Sequence, residues 1–332
     1  NYYLNKAVDC LIHSAGDEAV TVNGGTFTLA NVGEEGPSQN YNPWIFNVNG
    51  GNAGNVTVNG GTYNSDINHL FWANEVYIPE TLALNYNASA GTWTVVESVA
   101  YVGETAISDG ASARNVGYAT IEEAIDAISN KKEYVGTTNE TVTMLKDVTV
   151  NAPIIVESDV NFNLNGKTVT AVEDPAVYPV IRIQNGADVT IAGEGSIINN
   201  ADYVFVLGAS DGTSVGNLTI ENGTFHGATT VASVTKGNLI ITGGDFSVEP
   251  YQGSYEFLIN CIDANYNNGA EVSISGGKFQ NWNPENNAAE GANTNFCAYG
   301  YGAIENTPNV WTVIPKQTMT AVVKDGWNWF SY

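Results

Sequence analysis

Positive charge is scarce in this sequence. Its 332 residues hold 11 Lys and Arg against 35 Asp and Glu, for a net charge of −24. Such a chain repels phosphate backbones and anionic lipid surfaces, which argues against nucleic-acid and membrane-surface partners. No apolar run approaches the roughly 18 residues that would read as a membrane-spanning helix, so no membrane span is expected. Cysteine is sparse as well. Cys10, Cys261 and Cys297 contain no CxxC pair and are too few for a disulfide framework. They read first as buried small apolar residues, with one disulfide plus a free thiol as the alternative. The sequence opens on Asn1 without a signal peptide, which reads as a processed product or a segment of something longer.

What is present is a phrase. VTVNGGTF at 20–27 returns as VTVNGGTY at 56–63, LTIENGTF at 218–225, LIITGGDF at 239–246 and VSISGGKF at 272–279. The first and third positions are always aliphatic, the period-two pattern of a short strand with one face inward. The fifth position is Gly, or once Asn222, and the sixth is Gly in every copy. These small residues permit a positive φ and a sharp corner directly after the strand. The eighth position is always Phe or Tyr, one large side chain returning to the interior.

Successive copies lie 36, 21 and 33 residues apart within their groups, and the related runs VNFNLNGKTV (160–169) and VTIAGEGSII (189–198) precede the later three. These intervals are too long for hairpins, and no helical pattern separates the strands as a βαβ unit requires. They fit a coil that lays each strand parallel to the last, with the aromatics stacked inside and the threonines outside. The expected fold class is all-β, a parallel β-solenoid.

A larger repeat is also legible. WTVV at 93–96 and WTVI at 311–314 are 218 residues apart, and VTVNGGTY and VSISGGKF are 216 apart. Residues 1–96 then read as the C-terminal part of a first module, 97–117 as a linker, 118–316 as a complete second module, and 317–332 as a tail or the start of a further module. Within YATIEEAIDAISN one amphipathic helix is expected near 120–129. Thr120 and Glu123 form a capping box, and Ile121, Ala124, Ile125 and Ile128 lie on one face. It serves as a lid on the N-terminal end of the second module.

These phrases resemble the right-handed parallel β-helix repeat proteins of the pectate-lyase-like superfamily, in the NGGTF-rich branch found on gut bacteria and their phages. YATIEEAIDAI with VTMLKDVTVNAPIIVESDVNFNLNGKTVT looks like a module opening of that branch. ISGGKFQNWNPENNAAEGANTNFCAYGYGAIENTPNVWTVIP looks like a module ending. The resemblance implies a right-handed coil used as a stalk, an adhesive surface or a virion part.

Some proteins of this fold cleave acidic polysaccharides, using Ca²⁺ or a cation with an Arg or Lys base. Here the only arginines are Arg114, in the linker, and Arg182, read as an outward strand residue between Ile181 and Ile183. There are no adjacent aspartates, and FHG (225–227) and RIQ (182–184) match hydrolase motifs only in part. His226 reads as an exposed loop histidine, and His13 and His69 lack partners at ligand spacing. Glu122 and Glu123 serve the helix dipole. No catalytic, cofactor-binding or metal-binding residue is assigned, and the chain is expected to be no enzyme. No cofactor is expected, with Ca²⁺ the single ion the acidic surface leaves open.

Trp93 and Trp311 read as structural plugs. Trp44, Trp72 and Trp282 sit near loops, where rim packing outweighs sugar stacking, and Trp327 and Trp329 lie in the tail, placed to meet another protein. The expected function is a non-enzymatic, extracellular structural or adhesive β-solenoid of a bacterial surface appendage or phage particle. Its expected partners are copies of itself or neighbouring subunits. The alternative is a carbohydrate-binding or polysaccharide-degrading β-helix with surface glycans as partners, which calls for carboxylates clustered on adjacent coils.

Overall fold

A computed structural model describes residues 10–14, 19–28, 44–48, 56–67, 76–106, 114–129, 135–137, 140–209 and 211–316. The expected Trp72, His69 and tail residues 317–332, with Trp327 and Trp329, lie outside the described residues. The structure is all-β, with long sheets of parallel strands.

Three sheets run through the second unit. Sheet 1 carries Thr141–Met144, Val160–Asn163, Ala187–Ala192, Gly216–Ile220, Gly237–Ile241 and Ala270–Ile274. Sheet 2 carries Val148–Val150, Lys167–Ala171, Gly195–Asn199, Thr224–Gly227, Asp245–Val248 and Lys278–Gln280. Sheet 3 carries Ile154–Val156, Ile181–Ile183, Phe205–Leu207, Ala232–Val234 and Ile259–Cys261. The chain visits sheets 1, 2 and 3 in that order and returns to sheet 1 beside its previous strand. Every contact between successive strands of these series is parallel.

The register pairs the repeated phrase residue for residue: Leu218 with Leu239, Leu239 with Val272, and Phe225 with Phe246 and then Phe279. Val20 pairs with Val56, and Phe27 with Tyr63, in the first unit. The aromatics form the expected internal ladder. Phe225 and Phe246 stack at 5.3 Å, Phe246 and Phe279 at 4.9 Å, and Phe27 and Tyr63 at 5.0 Å. Burial of side chains of this size contributes roughly 1.5–3 kcal/mol each, so the ladder is a main source of cohesion between coils.

The sixth-position glycine has a positive φ in all five copies, from +96° at Gly277 to +122° at Gly61. The fifth position is small for a different reason. Its φ is not positive, but a Cβ on Gly276 would stand 2.0 Å from the Thr242 carbonyl oxygen of the coil before it.

The external threonine ladder holds between Thr21 and Thr57 in the first unit and between Thr190 and Thr219 in the second, and it breaks after Thr219. In the second unit the exposed Ile240 stands between Thr219 and Ser273. A hydrogen-bonded ladder lies at the start of the sheet 1 strands. There Asp188 N–H donates to Asp159, Asn217 Nδ2 to Asp188, and Asn238 Nδ2 to Asn217.

The helix runs from Ile121 to Ser129, with Ile121, Ala124, Ile125, Ala127 and Ile128 buried. Glu123 N–H donates to Thr120 Oγ1 at 3.1 Å. The return bond differs from expectation: Glu123 Oε2 accepts from Ala119 N–H, one residue before the cap. Thr120→Ala is expected to cost about 1 kcal/mol, read as a lower urea midpoint of the second unit.

Among the described residues there are two separate hydrophobic cores. One spans buried residues from Val22 to Ile78, the other from Val99 to Val313.

Candidate functional site

Each unit ends in a β-hairpin. Strands Leu82–Asn87 and Thr92–Glu97 close the first, and strands Tyr301–Thr307 and Val310–Pro315 the second. The turns pass through Gly91 (φ +61°) and Asn309 (φ +64°), each two residues before the tryptophan. The second strand of each hairpin lies antiparallel on the last sheet strand, so that Trp93 faces Tyr63 and Trp311 faces Phe279. Val95 N–H donates to Gly61 O at 3.0 Å, and Val313 N–H to Gly277 O at 3.1 Å. Both tryptophans are half-buried against their own core, as plugs. The parallel ladder of each unit thus ends on an antiparallel strand.

The two ends differ in what lies on the outer strand of the hairpin. On Leu82–Asn87 sits Arg114–Tyr118, parallel, with Gly117 opposite Ala83. A Cβ on Gly117 would stand 2.4 Å from the carbonyl oxygens of Glu80 and Leu82, so only glycine lets the strands come this close. Asn115 Nδ2 donates to Glu80 Oε2 at 2.7 Å. Residues 97–117, expected as a linker, therefore carry two strands. Ala100–Ala106 pairs antiparallel with Arg114–Tyr118 and with the first strand of sheet 1, and the helix packs beside them. This region both covers the first coil of the second unit and joins it to the first.

At the second hairpin, Glu285 takes the outer position. Its Oε2 accepts from Ala303 N–H at 2.8 Å, and its Oε1 faces Lys316 Nζ at 2.5 Å. The Lys316 ammonium, helped by that N–H, holds the Glu285 carboxyl below its ordinary range, and Glu285 in turn raises Lys316. The column end itself is filled by Trp282 and Phe296, stacked 6.0 Å apart. Trp282 is buried, and its indole N–H donates to Glu256 O. It is a packing residue with no face open to a sugar.

The last strand of sheet 3 is covered by a carboxylate. Glu290 Oε1 accepts from Cys261 N–H at 2.5 Å, while Oε2 is buried and has no hydrogen-bond partner among the described residues. Burial raises the Glu290 carboxyl, with Asp263 adding and the Cys261 N–H opposing. Cys261 and Cys297 are both free thiols. Burial, then the Glu290 charge, pushes Cys261 up to about 12, and burial, then Glu285, pushes Cys297 up to about 11. Thiolate is the reacting form. Alkylation of the native chain at pH 8 should leave Cys261 unmodified by peptide mass spectrometry, and unfolding should expose it.

The remaining candidates do not converge. Arg182 lies between buried Ile181 and Ile183. Its guanidinium sits 5.6 Å from the Tyr178 ring centre and donates to Gly208 O at 3.5 Å. His226 is not an exposed loop residue: it is half-buried in a sheet 2 strand, with Nδ1 2.9 Å from Ser247 Oγ. The side chains of Arg114, His13, Cys10 and Trp44 lie outside the described residues. Acids occur at every corner: Asp147, Glu194 and Glu221 after sheet 1, Glu173, Asp202 and Glu249 after sheet 2, and Glu157 and Asp159 before sheet 1, with Asp188 and Glu271 at the start of sheet 1 strands. Among the described residues no group of three or more His, Cys, Asp or Glu is placed to hold a metal ion. Among them, too, no helix is long and apolar enough to cross a membrane. Comparison with protein-family models, curated proteins and solved structures gives no match.

Proposed function

We propose that this chain is a non-enzymatic structural or adhesive β-solenoid, a rigid acidic column that joins or projects other components of a bacterial surface appendage or phage particle. The observation that carries the reading is the repeated module with a built junction. Two units with separate cores end in the same hairpin, and at one of them the opening strand of the next unit is seated on it. The residues that recur do so for stacking: inward aliphatics, the corner glycine and the aromatic. A right-handed coil accords with the preferred hand of crossovers between parallel strands. The setting on a bacterial surface or a virion, and the membership of the NGGTF-rich β-helix branch, rest on the resemblance of the sequence phrases.

A glycan-cleaving or glycan-binding reading called for carboxylates clustered on adjacent coils and for exposed loop tryptophans. The described acids are spread over all corners and Trp282 is buried, so it has less support.

Light scattering with electron microscopy over a dilution series tests the proposal. Filaments, trimers or end-to-end chains are expected; a compact monomer at every concentration contradicts an assembling column.

A further inference from the structure

The two closing hairpins share one pairing register from the tryptophan to the start of the outer strand, although the second shifts register between Glu305 and Thr307. With Trp93 matched to Trp311, Ala83 corresponds to Gly302 and Leu84 to Ala303. The sheet order continues from the first hairpin through Leu82–Asn87 to Arg114–Tyr118 and on into the second unit. At the second hairpin it stops at Tyr301–Thr307. Among the described residues no strand pairs with the outer edge of Tyr301–Thr307. Its Ala303 N–H is held by the Glu285 carboxylate alone.

That carboxylate and Lys316 close over the register position where, in the first unit, the partner strand approaches. A Cβ on Gly302 would meet Lys316 Cε at 2.6 Å and Glu285 Oε2 at 2.8 Å. Large apolar side chains gather around the same hairpin: Tyr299 is fully exposed, and Ile304 and Ile314 are exposed too. An unpaired strand edge beside apolar surface is a pairing template unless something blunts it. A single ion pair between an exposed ammonium and a half-buried carboxylate is a weak and displaceable way to do so.

We propose that the outer edge of Tyr301–Thr307 is a docking edge for the opening segment of a further module of this type, and that the Glu285–Lys316 pair covers it until that segment arrives. The occupant is defined by the internal example: a short parallel strand with glycine at the crossing point, leading into a capped amphipathic helix, as in 114–129. This inference rests on the reading of the chain as a modular column and names the partner of its end.

The test is hydrogen exchange of the 301–307 amides in two proteins, the chain itself and a chain in which residues 98–316 follow Lys316 a second time. Those residues carry a core of their own. Docking predicts exchange at Ala303 about tenfold slower in the extended protein. It also predicts that Glu285→Ala speeds exchange in the original chain and has no effect in the extended one. Gly117→Ala in the added copy alone should restore the original rate, because its Cβ would press on the carbonyls of residues 299 and 301. Unchanged exchange at Ala303 in the extended protein overturns the proposal. So does protection already present in the original chain and lost when residues 317–332 are removed, which would give the edge to the tail. Exchange is measured at a dilution where light scattering shows the original chain to be monomeric, so protection at Ala303 reports the added module and this inference fails separately from the assembling column.

Discussion

Phe246→Ala should lower the unfolding free energy of the second unit by about 3–5 kcal/mol, the cost typical of a fully buried Phe replaced by Ala. Phe246 is the middle ring of three. It lies almost parallel to Phe279, at 9°, and to Phe225, at 19°. Its removal deletes contact with the coils on both sides and leaves a cavity no neighbour can fill, because Phe225 and Phe279 are themselves fully buried. In a stacked array stability is close to a sum of coil terms and interface terms, so a mid-column loss acts on two interfaces at once. Phe27→Ala offers the comparison. That ring is only half-buried and stacks on Tyr63 in the other unit, so the effect there should be smaller and confined to the first unit. Urea unfolding followed by hydrogen exchange separates the two units. A loss below about 1 kcal/mol at Phe246, far under the usual Phe→Ala range, would mean that the ring is not held between coils.

Gly276→Ala is the second large effect, and its direction depends on which copy of the phrase is changed. At Gly276 the new Cβ would stand 2.0 Å from the backbone oxygen of Thr242, and at Gly243 2.2 Å from that of Glu221. Neither contact involves a flexible side chain, so one coil must move off the other, at a cost of about 1–3 kcal/mol or more, the range for overpacking. Gly24 holds the same place in the first copy, and a Cβ there meets nothing within 4 Å. Gly24→Ala should therefore be neutral or slightly stabilising, since it also restricts the unfolded chain. The one copy with Asn at this position follows the same logic. Asn222 is exposed, and the coil before it turns through Gly193 and Gly195, both with positive φ. Circular-dichroism melts of the Gly24, Gly243 and Gly276 variants give the comparison. Equal losses at all three would remove coil stacking as the reason for the glycine.

Much of the column was legible because stacking acts on each coil alike and so writes itself repeatedly. The inward aliphatics, the corner glycine, the aromatic and even the uneven 21- and 33-residue intervals reappear as the pairings of Leu218 with Leu239 and of Leu239 with Val272. The helix was legible because its period is different from everything around it. Features that occur once or twice were harder to read. WTVV and WTVI stood out as a repeat, but their strand partners did not, because LALNYN and YGAIEN share no letters in register beyond a terminal Asn. The available signal was the turn: Gly91 and Asn309, residues that tolerate positive φ, sit two places before each tryptophan. The strand at 100–106 was hidden by its small residues and by a pairing that reverses the direction of the sheet. Trp282 falls in a stretch that reads as loop, and only the packing of Phe279 and Phe296 around it makes it a core residue. The junction at Gly117 and the Glu285–Lys316 closure depend on contacts across about 35 and 31 residues of chain, for which a single sequence offers no pattern.

Engineered disulfides measure the parallel register of the repeated phrase most directly. Thr219 and Ile240 are neighbours on the outer face of sheet 1, and Ser273 is one coil further on. Adjacent strands lie about 4.8 Å apart, within bridging distance, whereas two steps along the sheet give about 9.6 Å. Oxidation should link the Thr219→Cys, Ile240→Cys chain rapidly and without loss of stability, and should leave the Thr219→Cys, Ser273→Cys chain open. Ready closure of the second pair, or failure of the first, would contradict a column in which each copy of the phrase lies directly upon the last.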